Sequence, residues 1–306
     1  MALRDKATFG MSLPHRSPDP IDVSWILSVA QRSEALGYTD LWVTENVLDS
    51  ENYAFDPITI LTYAAAVTTR IHVGVSVVVL PLRSPLHVAH SYGSLDYISN
   101  GRAILGVGLG RTGEYAEFGV PTDRRVRRFL EQIRLIKALW TEDDVRSESD
   151  MYHINAGIKL RPVKQPHPPI WLGGGHPDAV RRAATVADGW MGAGGQTTQG
   201  FKESVPVLKQ ALEQAGEDPE AYPISKRVFM SVHEDAATAR DEVARWYTQV
   251  YHNAAATDTS GVHGTPELVR EQLEALIDAG ANHLLLNPVC RYEEQVDALA
   301  EVVGLK

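Results

Sequence analysis

Three observations in the sequence predict a closed (β/α)8 TIM barrel of α/β class over residues 1–306, with insertion loops at the C-terminal face of its strands. Short β-rich runs alternate with amphipathic helical runs about eight times, the pattern of a parallel sheet with helical crossovers. Helix starts repeat one chemistry, a capping residue followed by proline, as at Asp56-Pro57, Ser84-Pro85, His176-Pro177 and Thr265-Pro266. Residues 71–80 are nearly all apolar, which suits a parallel strand covered on both faces.

In chain order, the first strand is read over 8–13. Asp19-Pro20 then predicts a helix start, with Val23, Ile26, Leu27 and Ala30 at helical spacing and Gly37 as its close. Residues 40–44 form the second strand, and Asp56-Pro57 opens a helix that buries Ile60, Leu61, Ala64 and Ala65. After the third strand, a helix runs from Ser84-Pro85 to near Gly101. Strand 103–107 precedes helix 124–140, and strand 169–172 precedes a helix from Pro177 to Ala187. Strand 189–191 precedes a helix around 201–215, and strand 225–232 precedes helix 236–251. Thr265-Pro266 caps a helix to Ala279, followed by strand 283–287 and a last helix near 292–303. Three long connections, 108–122, 141–168 and 253–264, read as lids, since long loops in a barrel are usually functional.

Lysine and arginine total 29 against 39 acids, a net charge of −10. That balance disfavours nucleic acid, whose phosphates need clustered cations. The one basic cluster, Arg124, Arg125, Arg127 and Arg128, reads as a solvated helix face with internal ion pairs. No apolar stretch approaches the ~20 residues that cross a bilayer, so no membrane is expected. The start of the chain lacks the long apolar run of a secretory signal, and the lone Cys290 excludes an internal disulfide. Both fit a cytoplasmic enzyme.

In a barrel, chemistry belongs to the C-terminal ends of the strands. Those ends carry His15, then Trp42 with Glu45 and Asn46, then Ser76 to Val78. They also carry a glycine-rich run from 106 to Glu114 and two turns, Gly173-Gly174-Gly175 and Gly192-Ala193-Gly194. Glycine turns after strands bring backbone N–H groups to an anion, and the first leads through His176 into a helix start that attracts negative charge. Gly-x-Gly-x-Gly at 106–110 lacks the spacing of a dinucleotide fingerprint. No Walker motif, nucleophile elbow or metal-ligand pattern is present, and no metal is expected; His87 and His90 read as packing or surface.

Five segments, taken together, resemble the bacterial luciferase-like monooxygenases, in the branch that uses the deazaflavin coenzyme F420. They are LGYTDLWVTEN (36–46), the long run IHVGVSVVVLPLRSP through GEYAEFG (71–119), RRFLEQIRLIKALWTED (127–143), LRPVKQPHPPIWLGGG (160–175) and RRAATVADGWMGAG (181–194).

The resemblance implies a third-strand bulge with a non-proline cis peptide at Ser76-Val77, on which a flavin-type ring rests beside Val78. It implies a cofactor phosphate held at Gly173, Gly174, Gly175 and His176 and at Gly192, Ala193 and Gly194. Gly108, Leu109, Gly110, Thr112 and Gly113 border the same ring, and Trp42 is read as core with one edge on the pocket. Glu114, in the Thr-Gly-Glu segment, is the candidate proton donor. Where the family has histidine after the acid of strand two, this chain has Asn46, which hydrogen-bonds but does not shuttle protons at neutral pH. Glu45 remains there, and His15 is the substitute. The implied function is F420-dependent hydride transfer to or from a small organic substrate, in a homodimer that packs the helices at 57–68 and 85–98. The alternatives are a reduced-FMN-dependent monooxygenase and a non-catalytic flavin-binding barrel.

Overall fold

In the computed structural model, which describes residues 2–306, eight parallel strands close on themselves. They are β1 (Thr8–Ser12), β2 (Asp40–Val43), β3 (His72–Val79), β4 (Ala103–Gly108), β5 (Ile170–Gly173), β6 (Gly189–Gly192), β7 (Ile224–Val232) and β8 (His283–Pro288). Sequence neighbours are spatial neighbours, and β1 pairs with β8, so the barrel has no edge to protect. The helices are α1 (Val23–Leu36), α2 (Pro57–Ala66), α3 (Pro85–Ser99), α4 (Arg125–Thr141), α5 (Pro177–Val186), α6 (Thr198–Ala215), α7 (Ala236–Tyr251), α8 (Ala256–Ser260), α9 (Pro266–Asp278) and α10 (Tyr292–Val303).

The caps explain most starts. Asp56 accepts from Thr59 N at 3.0 Å with Pro57 in the first turn, and His176 and Thr265 cap in the same manner. The first helix departs from expectation. Its cap is Asp22, whose carboxylate accepts from Ser24 N at 2.8 Å. Pro20 precedes the helix, and Asp19 pairs instead with Arg245 of α7 at 2.8 Å. Ser84 precedes Pro85 as expected but makes no side-chain cap bond.

The long connections carry their own order. Residues 141–168 contain an antiparallel hairpin, Val145–Glu148 with His153–Ala156. Arg124 and Arg127 pair with Asp150 at its turn, so the basic cluster is a surface ion-pair patch. Between β7 and β8 the chain inserts α8 and a short strand, Val262–Gly264, that extends the outer end of β7.

The floor of the barrel sets a buried polar chain beside an aromatic and apolar cluster. Ser225 Oγ lies 2.7 Å from His283 Nδ1, and His283 Nε2 lies 2.9 Å from Asp40 Oδ1. Asp40 also accepts the indole N–H of Trp42 and the Thr39 hydroxyl. This Ser-His-Asp chain is buried at the N-terminal ends of the strands, the stability face of a barrel.

Candidate active site

Pairing of β3 with β4 runs Val75 to Leu105, then Val78 to Val107, so Ser76 and Val77 together face Gly106 alone. A Cβ on Gly106 would sit 2.0 Å from the Val75 carbonyl oxygen, so only glycine admits this bulge. The Ser76-Val77 peptide is cis. Val77 is wedged between β4 and β5: a Cβ on Gly108 or on Gly173 would lie 2.6 Å from one of its methyl carbons. Those two glycines therefore make room for Val77.

Around this wedge opens a cleft of about 460 Å³. It gathers Ser76, Val77, Gly108, Leu109, Gly110, Gly173, Gly174, Ala193 and Gly194 of the expected set. Gly174 holds φ +139°, a conformation for which its missing side chain is required.

The remaining residues of that set lie elsewhere. Trp42 is fully buried in the barrel floor, 5.2 Å from the Trp171 ring, because its strand position points inward below the mouth. Val78 belongs to the core on the opposite side of the bulge. Thr112 and Gly113 are exposed in a short 3-10 turn. Gly175 and Gly192 both back onto the Gln196 side chain, and His176 points to solvent while its Nδ1 accepts from Asp178 N.

Residues 193–195 form a turn whose carbonyl oxygens are all engaged. Lys226 Nζ donates to the Ala193 carbonyl at 2.5 Å, Tyr247 Oη to that of Gly194 at 3.1 Å, and Ser260 Oγ to that of Gly195 at 3.4 Å. Three successive carbonyl oxygens are thus held by side chains of β7, α7 and α8. Lys226 is itself buried, and burial, with Arg227 beside it, pushes its ammonium down to about 7.

Sequence reading missed the wall opposite Val77. Arg227 of β7, Tyr247 and Tyr251 of α7, and Asn253 and Ala256 line the cleft. Arg227 donates to the Ser76 carbonyl at 3.0 Å and to Asn287 Oδ1 at 2.7 and 3.1 Å. Its guanidinium lies over the Phe229 ring, 4.9 Å from the centroid. The available signal was the sequence Ile-Ser-Lys-Arg-Val-Phe-Met, two adjacent cations inside a strand otherwise free of charge.

The expected catalytic residues divide into two groups. His15 is 4% exposed, with Nδ1 at 2.6 Å from the Leu13 carbonyl and Nε2 at 2.7 Å from Thr44 Oγ1. Burial, with the charge of Arg227, pushes its imidazole down to about 3. A ring so engaged is neutral at neutral pH, its one N–H given to the Leu13 carbonyl, the arrangement of a satisfied buried histidine. Asn46 Nδ2 donates to the same Thr44 oxygen at 2.7 Å.

Glu45 and Glu114 line a separate cavity of about 300 Å³ with Arg83, Phe118 and Tyr92. The wall between cavity and cleft is Val79, against which a Cβ on Gly110 would lie at 2.3 Å. Glu45 accepts from Val79 N at 2.6 Å and pairs with Arg83. Burial nevertheless raises its carboxyl above the ordinary range. The Tyr92 hydroxyl in this cavity is buried with no partner among the described residues.

A family model described as luciferase-like monooxygenase matches residues 7–304. The chain is 27% identical over 266 residues to an F420-dependent glucose-6-phosphate dehydrogenase of Kineococcus radiotolerans, covering 84% of this chain and 78% of that protein. Among solved structures, it superposes on an F420-dependent secondary alcohol dehydrogenase with an F420-acetone adduct at TM-score 0.85 and 18% identity, covering 98% of each chain. It also superposes on the FMN-bound oxygenating constituent of 3,6-diketocamphane monooxygenase from Pseudomonas putida, at TM-score 0.79 and 17% identity over 98% of this chain and 96% of that one.

Proposed function

Because the chain belongs to the luciferase-like monooxygenase family, we propose that it is an oxidoreductase that binds coenzyme F420 and moves hydride to or from a small organic substrate. The single observation that carries this reading is the convergence of the Ser76-Val77 bulge and the 193–195 turn on one cleft. The similarity to an F420-dependent dehydrogenase over 84% of the chain supports the choice of cofactor.

The cleft fits a flat ring with an anionic tail. Val77 offers the ring an apolar ledge, and the retracted carbonyls of residues 193–195 leave backbone N–H groups for a phosphate. When bound, the deazaflavin supplies two-electron hydride chemistry, and the protein contributes orientation and exclusion of water. Asn46 is half-buried and holds its amide at Thr44, which keeps a donor near the mouth without a titrating group. Glu114 is the proton donor in this reading, acting on a substrate that extends into the cavity it shares with Glu45.

A homodimer is part of the proposal, supported by exposed apolar side chains on the expected helices: Tyr63 on α2 at 40%, and Tyr97 and Ile98 on α3 at 59% and 58%. No helix among the described residues is long and apolar enough to cross a membrane. A cytoplasmic location is part of the proposal, in keeping with the single cysteine, Cys290. The test is a fluorescence titration of purified protein with F420 and with FMN, followed by turnover against a panel of alcohols, carbonyls and activated alkenes. Saturable F420 binding with turnover is expected. FMN binding without F420 binding would replace this reading with the monooxygenase, and cofactor binding without any turnover would leave a non-catalytic flavin-binding barrel.

A further inference from the structure

We propose that Arg227 is the residue that recognises the electron-rich edge of the bound ring and makes the cleft prefer the reduced cofactor over the oxidised one. The inference rests on the cofactor reading above and adds a role for a residue outside the bulge and the glycine turns.

Arg227 is 6% exposed yet lines the cleft. A guanidinium has five N–H donors. Nε and Nη2 each give one to Asn287 Oδ1, and Nη1 gives one to the Ser76 carbonyl. One N–H on Nη1 and one on Nη2 remain. No carboxylate among the described residues forms an ion pair with it.

The charged and titratable groups facing Arg227 offer no compensation. Arg16 is cationic, Lys226 brings no negative charge, and His15 is neutral because burial and Arg227 hold it so. Tyr247 and Tyr251 are phenols. Removing a charge from water without a counter-charge is costly. At a ligand cleft, that arrangement points to a negative charge brought by the ligand. The bond from Nη1 to the Ser76 carbonyl ties the guanidinium to the bulge that would support the ring.

One hydride, two electrons and a proton, leaves the substrate's carbinol carbon for the ring. The substrate hydroxyl gives its proton to the Glu114 carboxylate, the proton donor of the reverse direction, and becomes a carbonyl. A hydride delivered to a bound ring would bring one negative charge into the cleft, and Arg227 would be the cation that meets it.

The experiment measures anaerobic dissociation constants of oxidised and reduced F420 for the wild type, Arg227→Lys and Arg227→Met, with the FMN pair in parallel. The wild type is expected to bind the reduced form at least tenfold more tightly, equivalent to about 30 mV for a two-electron couple. Arg227→Met should lose that ratio and Arg227→Lys should keep most of it. Equal wild-type affinities for the two forms overturn the proposal, and this arm stands even if Arg227→Met does not fold. An unchanged ratio in Arg227→Met, or a loss in Arg227→Lys as large as in Arg227→Met, overturns it as well. Failure of both cofactors to bind removes the functional reading together with this inference, whereas binding without redox preference removes this inference alone.

Discussion

His15 Nε2 lies 2.7 Å from Thr44 Oγ1, and this contact fixes what the imidazole can do. A carbonyl only accepts, so the 2.6 Å contact to Leu13 puts the ring proton on Nδ1. Nε2 must then accept from the Thr44 hydroxyl, whose oxygen in turn accepts from Asn46. The three side chains form one directed chain of hydrogen bonds along the mouth of β1 and β2, with no proton free to leave.

The first prediction follows from that chain. The folded imidazole sits at about 3, far below its ordinary value, because of burial and Arg227. Below pH ~6.5 the unfolded chain therefore binds a proton that the folded chain refuses. Its contribution to stability is complete above pH ~6.5 and falls toward pH 3, with a slope approaching about 1.4 kcal/mol per pH unit. Urea unfolding across pH 4–8 should show this slope, and His15→Asn should flatten it. Nitrogen NMR should report the Nδ1-protonated neutral ring at pH 5, and an imidazolium there would contradict the tautomer.

Lys226 should behave as a buried brace for the 193–195 turn. Its folded value of about 7 lies below the ordinary 10.5, so the unfolded chain holds the extra proton between them. Stability on this account rises as pH increases from 7 toward 10.5, and Lys226→Met should lose that rise. The variant should also weaken cofactor binding by about tenfold, ~1.4 kcal/mol, because the Ala193 carbonyl then keeps only its bond from Gln196 N. Unaltered affinity would show that the turn keeps its shape without the lysine.

Gly173 and Val77 should be energetically coupled. Gly173→Ala places a Cβ 2.6 Å from a Val77 methyl carbon, an overpacking that costs about 1–3 kcal/mol. Val77→Ala removes the clashing methyl and should recover most of that stability in a double-mutant cycle. Additive losses would mean that the alanine is accommodated by movement of β5.

Glu114→Gln should separate chemistry from binding. As a general acid, its carboxyl is worth about 100-fold or more in kcat, while cofactor affinity should stay constant because the residue lies across Val79 from the cleft. Loss of cofactor affinity with intact kcat would assign Glu114 to the cofactor.

Much of this architecture is legible in the sequence because parallel strands buried on both faces read as apolar runs and because Asp56-Pro57 and Thr265-Pro266 are direct helix-start signals. Helices 236–251 and 292–303 have the expected bounds. Asp19-Pro20 misled because a second acid, Asp22, stands closer to the first free N–H groups. Trp42 misled for another reason: the alternation of a strand tells which face a side chain takes, not its height in the barrel. Arg227, Tyr247 and Tyr251 were missed because they come from the far wall, where only the two cations in the β7 strand broke the apolar pattern.

The most direct measurement is a crystal structure of the protein with F420 at saturating concentration. The tricyclic ring is expected against Val77, with its phosphate at the backbone N–H groups of residues 193–195. A ring in the Glu45–Glu114 cavity, or a cleft that stays empty at saturation, would contradict it.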